Sequence, residues 1–292
     1  RPEDIEPDDR SRGVAIPRLG KLLWLLLERA GSNILRELPP SGRRAGSISE
    51  EMRHLKRAAQ GLEIAPGIRL SDHLYTNAID YEKRRVHARL RAAAETWPPE
   101  FAPQAFLLLE ASEVTSSEVV TGLGTVEIRN RIQHTGIIRA EVEPPFLVLV
   151  VVGEHSRREG YLALRAYAQP VLSGNQFVPA ERDHDRDVLR ALQQAQYELR
   201  RLGVRMAVKK VLFDIALVAG SARPDFLVAL LDEHSGVECK FALQILQSDD
   251  ADYLELRSIE RERLSQAGLV VSMAVSSVTP EAIISEARSL LE

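Results

Sequence analysis

Two short stretches of the sequence carry side chains that could do chemistry. Pro224 and Asp225 form the first stretch, and Glu238, Cys239 and Lys240 form the second. Carboxylates such as Asp225 and Glu238 supply the hard oxygen ligands that Mg²⁺ accepts. A lysine beside such a metal could position an attacking water, while the metal would lower the pKa of that water and neutralise charge on a phosphoryl oxygen. These residue types therefore suit the hydrolysis of a phosphodiester.

Both stretches lie in sequence that is typical of β-strands. The segment RPDFLVALL is followed by the turn DEHSG and then by VECKFALQ, which predicts a hairpin. Because side chains alternate along a strand, Glu238 and Lys240 share one face and Cys239 points to the other. We expect the paired strands to bring Asp225, Glu238 and Lys240 together at one edge of the sheet.

The rest of the C-terminal part alternates between helices and strands. The segment DRDVLRALQQAQYELRRLG places its apolar residues on one helical stripe and ends at Gly203, in the position of a helix stop. The strand-like segment VRMAVKKVLFDIALV follows it. After the hairpin come the charged helix DYLELRSIERERL, the strand LVVSMAVSS and a helix opened by Thr279 and Pro280. The predicted order from residue 185 is α, β, β, β, α, β, α.

The motif and this order of elements resemble the PD-(D/E)xK nuclease superfamily. The motif matches the Pro-Asp pair that ends at Asp225, and then Glu238 and Lys240 on either side of Cys239. The resemblance covers residues 181–292 and implies an α/β domain with a restriction-endonuclease-like αβββαβ core. It implies a nuclease that hydrolyses DNA phosphodiesters with Mg²⁺ or Mn²⁺. In that reaction Asp225 and Glu238 bind the metal, and Lys240 orients the attacking water.

Relatives in this superfamily often carry further active-site residues on two helices. The first core helix often adds an acidic residue, for which Glu198 is the candidate. The second often adds a Lys, Gln or Arg, for which Arg257, Arg261 or the nearer Gln244 could serve. DNA is the partner that the resemblance implies. Many relatives act as dimers, and the N-terminal region could mediate a homodimer or contact a partner protein.

The first 180 residues have a different pattern. Residues 1–16 are acidic, contain proline and show no periodicity, which predicts a disordered lead. Residues 17–100 predict a helical region, in which RLGKLLWLLLERAGSNILREL is a helical pair and DYEKRRVHARLRAAAETW is one helix. Residues 101–180 predict a five-stranded, mostly antiparallel β-rich region. Its predicted strands are AFLLLEASEV, EVVTGLGTVEIRN, TGIIRAEVE, PFLVLVVVGEH and YLALRAYAQPVL. These regions also resemble an uncharacterised bacterial family carried on plasmids and integrating elements.

The composition limits the class of protein. No apolar stretch approaches the roughly 20 residues that span a bilayer, so we expect no membrane contact. One cysteine cannot form an internal disulfide, which favours a cytoplasmic location. The net charge of −4 at pH 7 is not that of a dedicated nucleic-acid binder. Any contact with DNA must therefore be local or helped by metal ions.

Other interpretations of the same residues remain open. Glu238 and Lys240 could be cross-paired charges of an exposed strand, with Asp225 as a turn residue after proline. A helical Glu198 close to Arg201 is commonly a solvated salt-bridge partner. The fold could also serve as a non-catalytic module that binds nucleic acid or assembles with partner proteins. A structural protein without nucleic-acid contact is a further alternative.

Overall fold

The computed structural model of the protein describes residues 17–38, 46–134, 142–156, 158–218 and 220–292. Within these ranges the chain forms two compact units. The C-terminal unit holds residues 33–38 and 183–292, and the N-terminal unit holds residues 17–32 and 46–182. The lead expected at residues 1–16 and most of the strand expected at TGIIRAEVE lie outside the described residues.

The helices have the following bounds: α1 (Arg18–Ala30), α2 (Ile48–Ala58), α3 (Ile79–Glu82), α4 (Arg85–Ala94), α5 (Asp183–Arg201), α6 (Ala251–Ser265) and α7 (Pro280–Ser289). None of the helices in the described ranges is long and apolar enough to cross a membrane.

The strands have the following bounds: β1 (Ile34–Leu35), β2 (Glu63–Ala65), β3 (Ile68–Arg69), β4 (Leu74–Tyr75), β5 (Gln104–Ala111), β6 (Glu113–Val114), β7 (Glu118–Thr121), β8 (Gly124–Glu127), β9 (Arg131–His134), β10 (Phe146–Ser156), β11 (Gly160–Ser173), β12 (Gln176–Pro179), β13 (Val204–Lys210), β14 (Ile215–Leu217), β15 (Gly220–Ala222), β16 (Phe226–Asp232), β17 (Glu238–Leu246) and β18 (Leu269–Ala274).

One sheet organises the C-terminal unit, with strand order β1-β13-β16-β17-β18. β13, β16 and β17 pair antiparallel, and β18 runs parallel to β17. The predicted order of elements from residue 185 is confirmed. The short antiparallel hairpin of β14 and β15 is an addition to that order, between β13 and β16.

The edge strand β1 comes from a distant part of the chain. Ile34 pairs with Lys209, and the Asn33 side-chain amide donates to the Lys210 carbonyl oxygen at 2.8 Å. The Lys210 backbone N–H donates back to the Asn33 carbonyl oxygen, also at 2.8 Å. The expectation of a second helix in this segment is wrong. α1 ends at Ala30, and the next residue, Gly31, has a left-handed φ of 68° that turns the chain towards the short strand β1.

The two faces of this sheet differ in their covering. One face is apolar and buried, and it is made by alternate residues of the three central strands: Met206, Val208, Phe226, Val228, Leu230 and Leu243. The buried stripe of α5 lies on this side, where α5 packs against β13 and α7. α6 lies on the opposite face against β17 and β18, where Leu264 packs with Ala242 and Val270.

The N-terminal unit contains a six-stranded sheet. Its strand order is β12-β11-β10-β5-β4, and β9 also pairs with β11. The long pairings of β10 with β5 and β11 are antiparallel, which confirms a β-rich, mostly antiparallel region. The expected total of five strands is too low. The segment EVVTGLGTVEIRN folds into the hairpin of β7 and β8, which belongs to a separate three-stranded sheet with β6.

The single helix expected over DYEKRRVHARLRAAAETW is two helices, α3 and α4. The chain breaks at Arg84, which adopts a left-handed φ of 56°. A non-glycine residue in this conformation is uncommon, and it redirects the chain at the start of α4.

Candidate active site

Asp225 lies immediately before the first residue of β16, and only 3% of its surface is exposed. Its Oδ2 atom accepts a hydrogen bond from the backbone N–H of Ile245 at 2.8 Å. The same atom accepts a second hydrogen bond from Nη2 of Arg257 at 2.6 Å. Arg257 belongs to α6, and its side chain is 5% exposed. The Asp225 carboxylate is therefore one half of a buried ion pair.

The hairpin register determines which residue of β17 faces Asp225. Phe226 pairs with Leu243, and Gln244 is the next residue of β17 beyond that pair. The backbone N–H of Asp225 also donates to the Leu243 carbonyl oxygen, at 3.1 Å, so Leu243 contacts both Asp225 and Phe226. An amide side chain, rather than a carboxylate or a lysine, therefore shares the end of the hairpin with Asp225.

Glu238 and Lys240 lie at the other end of the hairpin. Lys240 pairs with Ala229, and Glu238 pairs with Leu231. Counted from Leu243, they are three and five residues away, or about 10 and 17 Å at a rise of about 3.3 Å per residue. Both side chains are exposed. The expectation that the three residues converge is wrong, because the first residues of the second strand in a hairpin pair with the last residues of the first strand.

A second carboxylate, that of Glu260 on α6, approaches the same arginine. Nη1 of Arg257 forms an ion pair with Oε2 of Glu260. Oε1 of Glu260 accepts a hydrogen bond from the backbone N–H of Arg223 at 2.9 Å. Asp225, from the start of a strand, and Glu260, from a helix, therefore converge on one guanidinium.

The side chain of Gln244 connects this group to its surroundings. Its Nε2 atom donates to the backbone carbonyl of Arg257 at 3.1 Å and lies 3.4 Å from Oε2 of Glu260. Its Oε1 atom accepts a hydrogen bond from Oγ of Ser272 at 3.1 Å. Asp225, Gln244, Arg257 and Glu260 are named the Asp225 cluster below.

Only some of the further active-site candidates lie at this site. Gln244 and Arg257 join the Asp225 cluster, whereas Arg261 is exposed. Glu198 is not brought to the cluster. It lies on α5, which covers the opposite face of the sheet, and Nε2 of Gln194 donates to its Oε1 atom at 2.8 Å.

Sequence reasoning missed Glu260, since its alternation with arginines is typical of a salt-bridged surface helix. The helical spacing contained a usable signal. Tyr253, Arg257, Glu260 and Leu264 recur at intervals of four, three and four residues, so they share one helical face. Tyr253 and Leu264 are apolar anchors on that face, and both are buried.

The residues predicted to hold Mg²⁺ or Mn²⁺ do not fit a shared metal, because Asp225 and Glu238 are about 17 Å apart along the strand. No group of three or more His, Cys, Asp or Glu side chains that could hold a metal occurs among the residues described by the structure. Asp225 and Glu260 do fit a cation by charge, since a guanidinium already lies between their carboxylates.

Comparison with known proteins gives two matches along the chain. A family model described as a domain of unknown function (DUF8535) matches residues 1–171, which is more than half of the chain. The chain belongs to the DUF8535 family. A second family model, described as a restriction endonuclease-like C-terminal domain, matches residues 181–290. No curated protein and no solved structure matches the chain.

The second match confirms the resemblance to the PD-(D/E)xK superfamily and the α/β class of the C-terminal part. The boundary between the two matches differs from the boundary between the two units. β1 lies within the DUF8535 match, yet it pairs with β13 in the restriction endonuclease-like sheet. The DUF8535 sequence therefore contributes a strand to the sheet that carries the Asp225 cluster.

Proposed function

We propose that the restriction endonuclease-like domain is a metal-dependent nuclease that hydrolyses DNA phosphodiesters, with Asp225 and Glu260 as its acid pair. The observation that carries the proposal is the convergence of these two carboxylates on one guanidinium. The convergence lies at the end of β16 that carries the Pro-Asp half of the motif. The match to a restriction endonuclease-like domain supports phosphodiester chemistry in this unit.

The protein holds both carboxylates through contacts that do not involve Arg257. The backbone N–H of Ile245 fixes Asp225, and the backbone N–H of Arg223 fixes Glu260. A bound divalent cation would supply charge neutralisation at the phosphoryl group and a water of lowered pKa. In this proposal Asp225 and Glu260 hold that cation, and Gln244 keeps α6 against the strand end.

In this proposal Arg257 neutralises the charge of Asp225 and Glu260 when no metal is bound. Its Nη atoms contact both carboxylates, but its Nε atom is buried without a hydrogen-bond partner in the described part of the chain. A buried donor without a partner costs free energy, so this Nε atom offsets part of the stabilisation that the two ion pairs contribute. Binding of a divalent cation by both carboxylates would require displacement of the Arg257 guanidinium.

A second candidate function is a non-catalytic module that retains the nuclease fold. The observation that favours it is again Arg257, which neutralises both carboxylates without any metal. Acidic residues also outnumber basic ones from residue 183 to residue 292, so general electrostatic attraction to DNA does not assist this unit.

Cleavage of supercoiled, linear and single-stranded DNA by the full chain, with Mg²⁺, Mn²⁺ or EDTA, tests the proposal. We expect metal-dependent nicking that Asp225→Asn and Glu260→Gln each reduce by on the order of 100-fold. Glu262→Gln removes a similar charge from an exposed position of α6, so it should leave the rate unchanged. Circular dichroism checks that each variant is folded.

The roles predicted from the motif for Glu238, Lys240 and Glu198 are tested in the same assay. Loss of cleavage in Glu238→Gln and Lys240→Ala, with full activity in Glu260→Gln, would contradict the Asp225–Glu260 pair and favour the motif. Absence of cleavage under every condition, with folded protein, would support the non-catalytic module.

A further inference from the structure

Basic side chains from two helices line a cavity of about 490 Å³ in the N-terminal unit. Lys56 from α2 lines it together with Arg85 and Arg89 from α4. Because Arg85 and Arg89 are four residues apart, they project from the same side of α4. The basic residues therefore line a concave surface.

The cavity carries more positive than negative charge. Of its lining residues in the described chain, Asp80 alone has a carboxylate. Oδ1 of Asp80 forms an ion pair with Nη1 of Arg85 at 3.0 Å, and Oδ2 accepts a hydrogen bond from Nδ2 of Asn77 at 3.1 Å. Within the part of the chain that the structure describes, Lys56 and Arg89 have no acidic partner.

An aromatic ring positions one of these unpaired cations. The guanidinium carbon of Arg89 lies 5.7 Å from the centroid of the Tyr75 ring, which is the distance of a cation–π contact. Tyr75 is 6% exposed and belongs to the apolar core of the unit. Arg89 is thus oriented by a fixed partner that leaves its N–H donors available.

We propose that this cavity binds the phosphate monoester of a ligand of nucleotide size. Three cations against one carboxylate leave a surplus of two charges, which matches the charge of about −2 on a phosphate monoester near neutral pH. Arginine and lysine donate the charge-assisted hydrogen bonds that bind phosphate oxygens. The volume lies in the range of about 300–1,000 Å³ typical of small-molecule sites.

The same phosphate chemistry occurs in a free nucleotide and at the 5′ end of a nucleic acid. Calorimetry with the full chain in EDTA separates these sources. The probes are inorganic phosphate, adenosine monophosphate, adenosine, and a short DNA strand with and without a 5′-phosphate. We expect binding only of probes that carry a phosphate monoester or free phosphate, and the strongest of them identifies the source.

Two double variants with the same net charge test the role of the cavity residues. Lys56→Gln with Arg89→Gln removes the two unpaired cations, and we expect it to weaken binding by about tenfold or more. Arg57→Gln with Arg91→Gln removes two exposed cations from the same two helices outside the cavity, so it should change binding by less than about twofold.

Equal weakening in the two double variants would overturn the proposal, because general surface charge would then account for the binding. Failure of the native protein to bind any phosphate probe at millimolar concentration would also overturn it. The proposal concerns residues of the N-terminal unit alone. Neither result affects the cleavage test of the Asp225 cluster.

Discussion

Nη2 of Arg257 lies 2.6 Å from Oδ2 of Asp225, and neither side chain is more than 5% exposed. Two charges in such a position have lost most of their hydration. Their mutual attraction and the additional hydrogen bond from Ile245 offset this loss. Each charge therefore depends on the other for its stability in the folded protein.

Replacement of Arg257 by methionine should destabilise the C-terminal unit by about 3–5 kcal/mol, because it leaves the Asp225 carboxylate buried without a counter-charge. Urea unfolding followed by circular dichroism measures the change. Arg261→Met on the same helix is the control, and its exposed position predicts a change within about 0.5 kcal/mol. Equal effects of the two substitutions would contradict the ion pair.

A double-mutant cycle should detect direct coupling between the same two side chains. Asp225→Asn alone removes one contact of the guanidinium. Combined with Arg257→Met, it should cost less than the sum of the single changes, by roughly 1–3 kcal/mol. The free energies of unfolding of the four proteins measure the coupling. Strict additivity would show that the contact contributes no coupling energy.

Asn33→Ala should loosen the edge of the C-terminal sheet, because the side-chain amide of Asn33 holds the Lys210 carbonyl oxygen. We expect a loss of about 1–3 kcal/mol from the carbonyl left unsatisfied. Hydrogen exchange at the backbone amide of Lys210, which donates to Asn33, should become faster. Asn130→Ala, at an exposed position, is the control. Unchanged exchange at Lys210 would contradict the docking of β1.

Acidification should destabilise the N-terminal unit. Burial is the main cause that lowers the pKa of His73, His87 and His134 below the ordinary value of 6.5. The unfolded chain therefore binds more protons than the folded chain once the pH falls below about 6.5. The free energy of unfolding should decrease as the pH falls from 7.5 to 5.5.

The urea midpoint followed by tryptophan fluorescence measures this effect, since both tryptophans lie in the N-terminal unit. His73→Gln should show a smaller decrease than the native protein. Burial raises the pKa of Glu110, which opposes the loss of stability as the pH falls. Glu110 is present in both the native protein and His73→Gln, so the difference between the two proteins does not include its contribution. An identical pH dependence in the two proteins would exclude His73 as a source.

The local parts of the fold were predictable because they rest on local patterns. The apolar stripe of α5 predicts a helix that stops near Gly203; the helix ends at Arg201, and Gly203 has a φ of 81°. Thr279 was expected at the start of the last helix, and its hydroxyl accepts a hydrogen bond from the backbone N–H of Ala282. Such signals need only a few neighbouring residues.

The site was harder to predict because it depends on register. Two paired strands and a motif do not specify which residues face each other. Here β16 runs for seven residues before the turn, which carries Glu238 to the far end of the hairpin from Asp225. Glu260 meets Asp225 at Arg257 only through the packing of α6 on the sheet. The helical spacing marks the buried face of α6, but it does not show which strand that face packs against.

The position of β1 affects the order in which the protein can fold during synthesis. Asn33 and Lys210 are separated by 177 residues, so β1 leaves the ribosome long before its partner strand β13 has been synthesised. The strands and helices of the N-terminal unit are translated in that interval, and domains generally fold as units as they emerge. β1 must then pair with β13 after the N-terminal unit has already folded. Pairing of β1 with β13 should therefore be among the slow steps of folding, because contacts between distant residues form late.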